Sequence, residues 1–149
     1  SMAFVIPILL HPVWAVLVVY AIAAFVSGVV LSVVFQLAHC VGEATFPMPV
    51  ENEQGESRMT TDWAVHQVQT TVDFSRRNPV VSWLVGGLNF QIEHHLFHKI
   101  SHVHYPALSK VVEETCREYG VSYKSHRSVF SAVRAHYRWL VLMGRPVAA

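Results

Sequence analysis

Leu88-Asn89-Phe90-Gln91-Ile92-Glu93-His94-His95-Leu96-Phe97-His98-Lys99-Ile100-Ser101-His102-Val103-His104-Tyr105-Pro106 carries five of the ten histidines in a chain of 149 residues. If Gln91 to His102 is helical, Gln91, His94, His95, His98 and His102 recur at three- and four-residue spacing and share one face. Neutral imidazole is the commonest protein ligand for transition metals. Ligands one turn apart on a rigid helix reach one ion, or two neighbouring ions, without strain. A single helical histidine is ordinarily a hydrogen-bonded core or surface group. The adjacent pair His94-His95, preceded by Gln91, argues for ligation. His98, His102 and His104 leave both readings open.

Outside this stretch the chain is apolar, with its charge confined to one part. It is 52% hydrophobic and 14% charged, against roughly 25% charged in soluble domains. Residues 1–42 contain no Asp, Glu, Lys or Arg, and all eleven Lys and Arg lie at Arg58 or later. A net charge of +1 without a basic stripe excludes nucleic acid as a partner. Two cysteines, Cys40 and Cys116, are too few for a disulfide framework.

Residues 3–38 are almost continuously apolar, and His11-Pro12 punctuates them. A bilayer span needs about 20 residues, so residues 13–38 are expected to form one transmembrane helix. Residues 3–10 then end an earlier membrane helix or lie on the membrane surface. His39 falls where the span leaves the bilayer, and an ionisable group there is a functional-site candidate. Residues 47–61 are polar with two prolines and read as a loop. Thr60, Thr61 and Asp62 can cap a helix running through DWAVHQVQTTVDFS, residues 62–75, which Arg76-Arg77-Asn78 and Pro79 would end. Residues 80–90 are apolar but too short to span. They suit a membrane-surface or re-entrant piece, with Trp83 as an interfacial anchor.

Residues 107–119 predict an amphipathic helix stopped at Gly120. Residues 127–143 predict another, with Val129, Phe130, Val133, Tyr137, Leu140 and Val141 on one side. That last helix suits either an anionic membrane surface or docking on the domain. The crowding of Lys and Arg after the span places the C-terminal region on the cytoplasmic side. The fold class expected is all-α: an integral membrane protein with one transmembrane helix and cytoplasmic-side helices that carry the histidines.

GLNFQIEHHLF, followed by HVHYPAL and VVEETCREYGVSY, resembles the third histidine box of the membrane fatty acid desaturases, in the QxxHH branch that holds front-end, acyl-lipid and acyl-CoA desaturases. FQLAH, residues 35–39, is similar to a segment whose histidine that family uses as an added metal ligand. The resemblance runs from Phe35 to Tyr123. It implies O2-dependent introduction of a double bond into a fatty acyl chain at a pair of non-haem iron ions, with His39, Gln91, His94 and His95 as ligands. His66, Asn89 and His98 would then lie just behind the ligands. Gln91 stands where other branches have histidine, and His98 departs from the proline often found there. His126 and His136 lie outside the motif and are expected to be dispensable for metal.

The resemblance also implies partners: a CoA- or lipid-linked acyl substrate, the lipid bilayer, and an electron donor such as ferredoxin or cytochrome b5 with its reductase. No cytochrome b5 signature occurs in the chain, so electrons come from a separate protein. The family's first two boxes, HxxxH-like and HxxHH, precede this segment, whereas residues 1–38 hold only His11. Residues 1–149 are therefore expected to be the C-terminal part of a single desaturase domain, with a membrane segment at 3–38 and a cytosolic-side region at 62–143, inactive alone. The alternatives are a histidine-box lipid hydroxylase or monooxygenase, a membrane zinc hydrolase using His39, His94 and His95 with a water, and a non-catalytic membrane remnant.

Overall fold

The structure, a computed structural model, describes residues 2–52 and 55–145. They form two compact units, Ser1–Val33 and Val34–Ala149. In the first, helix α1 (Met2–Leu10) turns at His11-Pro12 into α2 (Val13–His39). The Phe4 ring stacks on Tyr20 at 4.2 Å, and Val16 is buried. Helix α2 has 27 residues, about 40 Å at 1.5 Å per residue, and continues into the second unit. It is long and apolar enough to cross a bilayer. Its Trp14, Leu17, Ile22, Phe25 and Val29 are exposed, the opposite of a soluble core helix.

The second unit is mostly helical, with four two-residue strands that the all-α expectation omitted. β1 (Val50–Glu51) pairs antiparallel with β2 (Ser57–Arg58), making the expected polar loop a small hairpin. β3 (Asp73–Phe74) pairs in parallel with β4 (Ser125–His126). The helices are α3 (Trp63–Gln69), α4 (Pro79–Leu84), α5 (Gln91–Leu96), α6 (Tyr105–Glu118) and α7 (Val129–Met143).

Three of the expected boundaries change. The helix expected over residues 62–75 stops at Gln69. The β-branched run Thr70-Thr71-Val72 follows, and its backbone is taken up elsewhere: the Val72 N–H donates to the Ala38 carbonyl at 2.9 Å. Asn78-Pro79 does not end that helix but begins α4. The Asn78 side chain accepts from the N–H groups of Val80 and Val81, and proline fits the first helical turn because its missing N–H is not needed there. The histidine helix ends at Leu96. Phe97 leaves helical geometry (φ −129°, ψ 47°) and packs on the cluster of Val68, Ile92, Val112 and Cys116. His98 and His102 are therefore not on the face of Gln91, His94 and His95. The last two helices agree closely with expectation. Ser128 opens α7 with a reciprocal capping box to Ser131.

Val34 and Leu37, near the end of α2, bury against Phe74 and Ala132, with Val81, Val85, Leu88 and Val129 around them. A second cluster joins α3, α5 and α6 through Val68, Ile92, Val112 and Cys116. Val41, Ala44 and Val72 form a third, against Ala135.

A buried polar network lies beside the second cluster. The Tyr123 hydroxyl is 2.5 Å from Asp73 Oδ2 and 2.9 Å from Glu93 Oε1. One phenol has one proton, so it can donate to only one carboxylate; the other carboxyl must bring its own proton. Burial, then the neighbouring Asp73 charge, pushes Glu93 up to about 9. Burial also raises Asp73, against the lowering effect of the Tyr123 hydrogen bond. The pair thus shares a proton at neutral pH.

The sign of the pH dependence follows. Between its unfolded value of 4.5 and about 9, Glu93 holds a proton in the native state that the unfolded chain has lost. Its contribution is full below pH 4.5 and is lost as pH rises toward 9. Thermal melts over that range should show stability falling with pH, and Glu93→Gln, which fixes a neutral side chain, should flatten the slope. An unchanged slope would remove Glu93 as its origin.

The turn before α5 generates a second prediction. Gly86 and Gly87 have φ of 59° and 78°, and a Cβ on Gly87 would lie 2.6 Å from His102 Cβ, whereas one on Gly86 would meet nothing within 4 Å. Gly86→Ala should cost about 1–2 kcal/mol for the left-handed backbone alone. Gly87→Ala should cost clearly more, read as the larger fall in melting temperature.

Candidate functional site

The helix ends and the turn just described bring α2 and α5 together. His39 is the last residue of α2, and His94 and His95 lie in the last turn of α5. The rings of His39 and His95 are 5.1 Å apart, and those of His94 and His95 are 6.0 Å apart. His39 and His95, separated by more than fifty positions in sequence, are thus neighbours in space.

Each imidazole has a partner at Nδ1. His39 Nδ1 is 3.3 Å from the Thr70 carbonyl oxygen, His95 Nδ1 is 2.8 Å from Gln67 Oε1, and His94 Nδ1 is 3.3 Å from the Tyr105 hydroxyl. A carbonyl oxygen can only accept, so His39 and His95 carry their proton on Nδ1. Among the described residues no hydrogen bond reaches Nε2 of any of the three. Fixing one ring nitrogen on a protein acceptor while leaving the other lone pair open is how metal-binding histidines are oriented. Burial, then the His39 and His94 charges, pulls His95 down to about 4, so this imidazole is neutral at pH 7 with its lone pair available.

Gln91 opens α5 one turn before His94 and His95. It is fully buried, and neither its Oε1 nor its Nε2 has a hydrogen-bond partner. An amide left so costs about 1–3 kcal/mol, and a ligand taken by its oxygen removes part of that cost. Among the described residues, no three His, Cys, Asp or Glu side chains form a metal cage by themselves. The candidate donors singled out in the sequence are thus three imidazoles and one amide, which do not close a metal site among the described residues.

The other sequence-level candidates fall further out. Asn89 is buried, but its Nδ2 donates to the Phe74 carbonyl and to Ser82 Oγ, so it braces the turn against β3 rather than a histidine. His66 is half-buried on α3 with Nδ1 unpartnered. His98 is exposed. The side chains that orient the imidazoles are instead Gln67 and Tyr105, with the backbone of Thr70. Nothing local marked Tyr105 or Thr70.

Comparison with known proteins gives the same direction. The chain is 43% identical over 123 residues to the sn-1 linoleoyl-lipid 6-desaturase of Arthrospira platensis, covering 83% of this chain and 32% of that protein. It is 39% identical over 131 residues to the sn-1 linoleoyl-lipid 6-desaturase of Synechocystis, covering 87% and 35%. With the acyl-lipid (8-3)-desaturase of Physcomitrium patens it shares 42% over 128 residues, covering 86% and 26%. The chain thus spans about a third or less of the length of these relatives. No solved structure matches it. The sequence profile of the fatty acid desaturases matches residues 1–127, over the same helices that assemble the three histidines, and the chain belongs to the fatty acid desaturase family.

Proposed function

We propose that residues 1–149 are the C-terminal part of one integral-membrane acyl-lipid desaturase domain, and that they supply His39, His94, His95 and Gln91 to a non-haem di-iron centre. One observation supports this above the others: the rings of His39, His94 and His95 cluster with Nδ1 partnered and no hydrogen bond at Nε2 among the described residues, and Gln91, one turn earlier on α5, has a buried amide without a partner. Bound iron would supply the O2-dependent oxidising power that an unactivated C–H bond requires and no side chain has. Within this chain, Gln67 and Thr70 hold His95 and His39 in the Nδ1–H tautomer, and Tyr105 orients the His94 ring. Burial keeps His95 unprotonated. The remaining ligands come from elsewhere in the complete polypeptide.

The apolar, exposed α2 supports a bilayer span, and the placement of every Lys and Arg beyond it supports a cytoplasmic site. The substrate is a fatty acyl chain. The relatives' names favour a lipid-linked carrier over CoA. The electrons come from a donor of the ferredoxin or cytochrome b5 type.

In the complete polypeptide, His94→Ala or His95→Ala should abolish desaturated product and bound iron, measured by fatty acid analysis of membranes and metal analysis of purified protein. Near-normal product from either variant would sink the ligand assignment, and zinc in place of iron would point to hydrolysis. Gln67→Ala should lower metal affinity about 10–100-fold by freeing the His95 ring. Gln67→Glu, which keeps an acceptor, should retain most of it. Equal loss in both variants would show that Gln67 acts through folding alone.

A further inference from the structure

Helix α7 has three faces. Ala132 is buried against Val34 and Leu37 of α2 with Phe74, and the neighbouring His136 donates from Nδ1 to the Cys40 carbonyl at 2.7 Å. These contacts fix α7 to the point where the apolar α2 ends. The second face is apolar and bare: Phe130 is 77% exposed, Tyr137 67% and Leu140 51%, with Val133 between them. Along one flank run Arg134 and Arg138, one turn apart and exposed. Neither forms an ion pair or hydrogen bond among the described residues. Glu43 lines the same cleft as the two arginines, but its carboxylate lies toward His126 Nε2, 3.6 Å away. Helix α4 is attached through the same cluster by Val81, and also shows bare apolar residues, Val80 and Trp83.

A solvated helix does not retain an apolar face of this size without a partner. The partner must be apolar where it meets Phe130, Val133, Tyr137 and Leu140, and anionic where it meets Arg134 and Arg138. It must also be present at the end of a membrane span. A bilayer surface has all three properties: acyl chains, phosphates at headgroup level, and the same location. We infer that α7 lies in the bilayer interface, with its apolar face among the lipid acyl chains and Arg134 and Arg138 on the phosphates of anionic lipids. This rests on the reading of α2 as a bilayer span. The helix thereby anchors, through Ala132 and His136, the end of α2 that carries His39, and sets the depth of the histidine cluster at the membrane surface.

The test places nitroxide labels on the complete polypeptide in nanodiscs of phosphatidylcholine, with and without phosphatidylglycerol, in a background with Cys40→Ser, Cys116→Ala and no other reactive cysteine. Labels go at Phe130→Cys and Tyr137→Cys on α7, at Val26→Cys on α2, and at Lys110→Cys on α6 as an aqueous control. Collision with oxygen, enriched in lipid, is compared with collision with a neutral nickel chelate, confined to water. In phosphatidylglycerol nanodiscs the α7 labels should favour oxygen and the Lys110 label nickel. Arg134→Glu with Arg138→Glu, or omission of phosphatidylglycerol, should shift the α7 labels toward nickel. Nickel-favoured α7 labels in both lipids would overturn the proposal. So would α7 labels shielded from both reagents, which would mean that protein covers this face. Equal depth in the two lipids would overturn the role given to the arginines. A nickel-favoured Val26 label would bring down the span and this proposal together. An oxygen-favoured Val26 label beside a nickel-favoured Phe130 label would overturn this proposal alone.

Discussion

Five consecutive buried residues, Thr71 to Ser75, hold the second unit together. Four of their backbone N–H groups go to four different places: Val72 to the Ala38 carbonyl, Asp73 to Lys124, Phe74 to Asn89 and Ser75 to His126. The Asp73 side chain adds a fifth tie by accepting the Ile92 N–H at 3.0 Å. A buried backbone polar group must find a partner, and here the partners lie on α2, on the turn into α5, on α5 itself and on the segment after α6. His39 adjoins one of these ties, and His94 and His95 follow another. The separation of the histidine rings is therefore set by an extended segment that carries no candidate ligand.

The same segment explains why the network of Asp73, Tyr123 and Glu93 sits where it does. Asp73 must be buried to cap Ile92, and Glu93 is buried on the inner side of α5. Tyr123 closes the gap between two carboxyls that cannot both ionise at that distance out of water. On the other side of α5, the imidazoles are tied to Gln67, Tyr105 and Thr70, on α3, at the start of α6 and just after α3. The short helix is thus gripped on both sides. Six residues have little helical stability of their own, so its position comes from these attachments and from Ile92 in the core.

The long apolar helix follows a separate logic. Helix α2 is mostly exposed over residues 17–33, while Val34 and Leu37 in its last turns are buried against Phe74 and Ala132. The change from exposed to buried surface falls at Val34. His136, which lies outside any motif, is a tether at that junction through the Cys40 carbonyl.

The sequence by itself determined the elements whose signals are local. The uncharged run marked α2 to within a residue, because its length and apolarity are continuous along the chain. The caps and stops gave α6 and α7, and the pairing of Gln91 with His94 and His95 on one helical face needed only helix spacing. It also carried the family, through residues that are contiguous in GLNFQIEHHLF. The tertiary structure alone decided the rest. Thr71 to Phe74 sits within a helix-like pattern but leaves the helix, its N–H groups from Val72 on going to Ala38, Lys124 and Asn89. His98 lost its place on the ligand face because Phe97 is drawn into the core. Gln67, Tyr105 and Thr70 became the supports of the imidazoles because hydrogen-bond partners are chosen by distance in space, and a sequence records only distance along the chain.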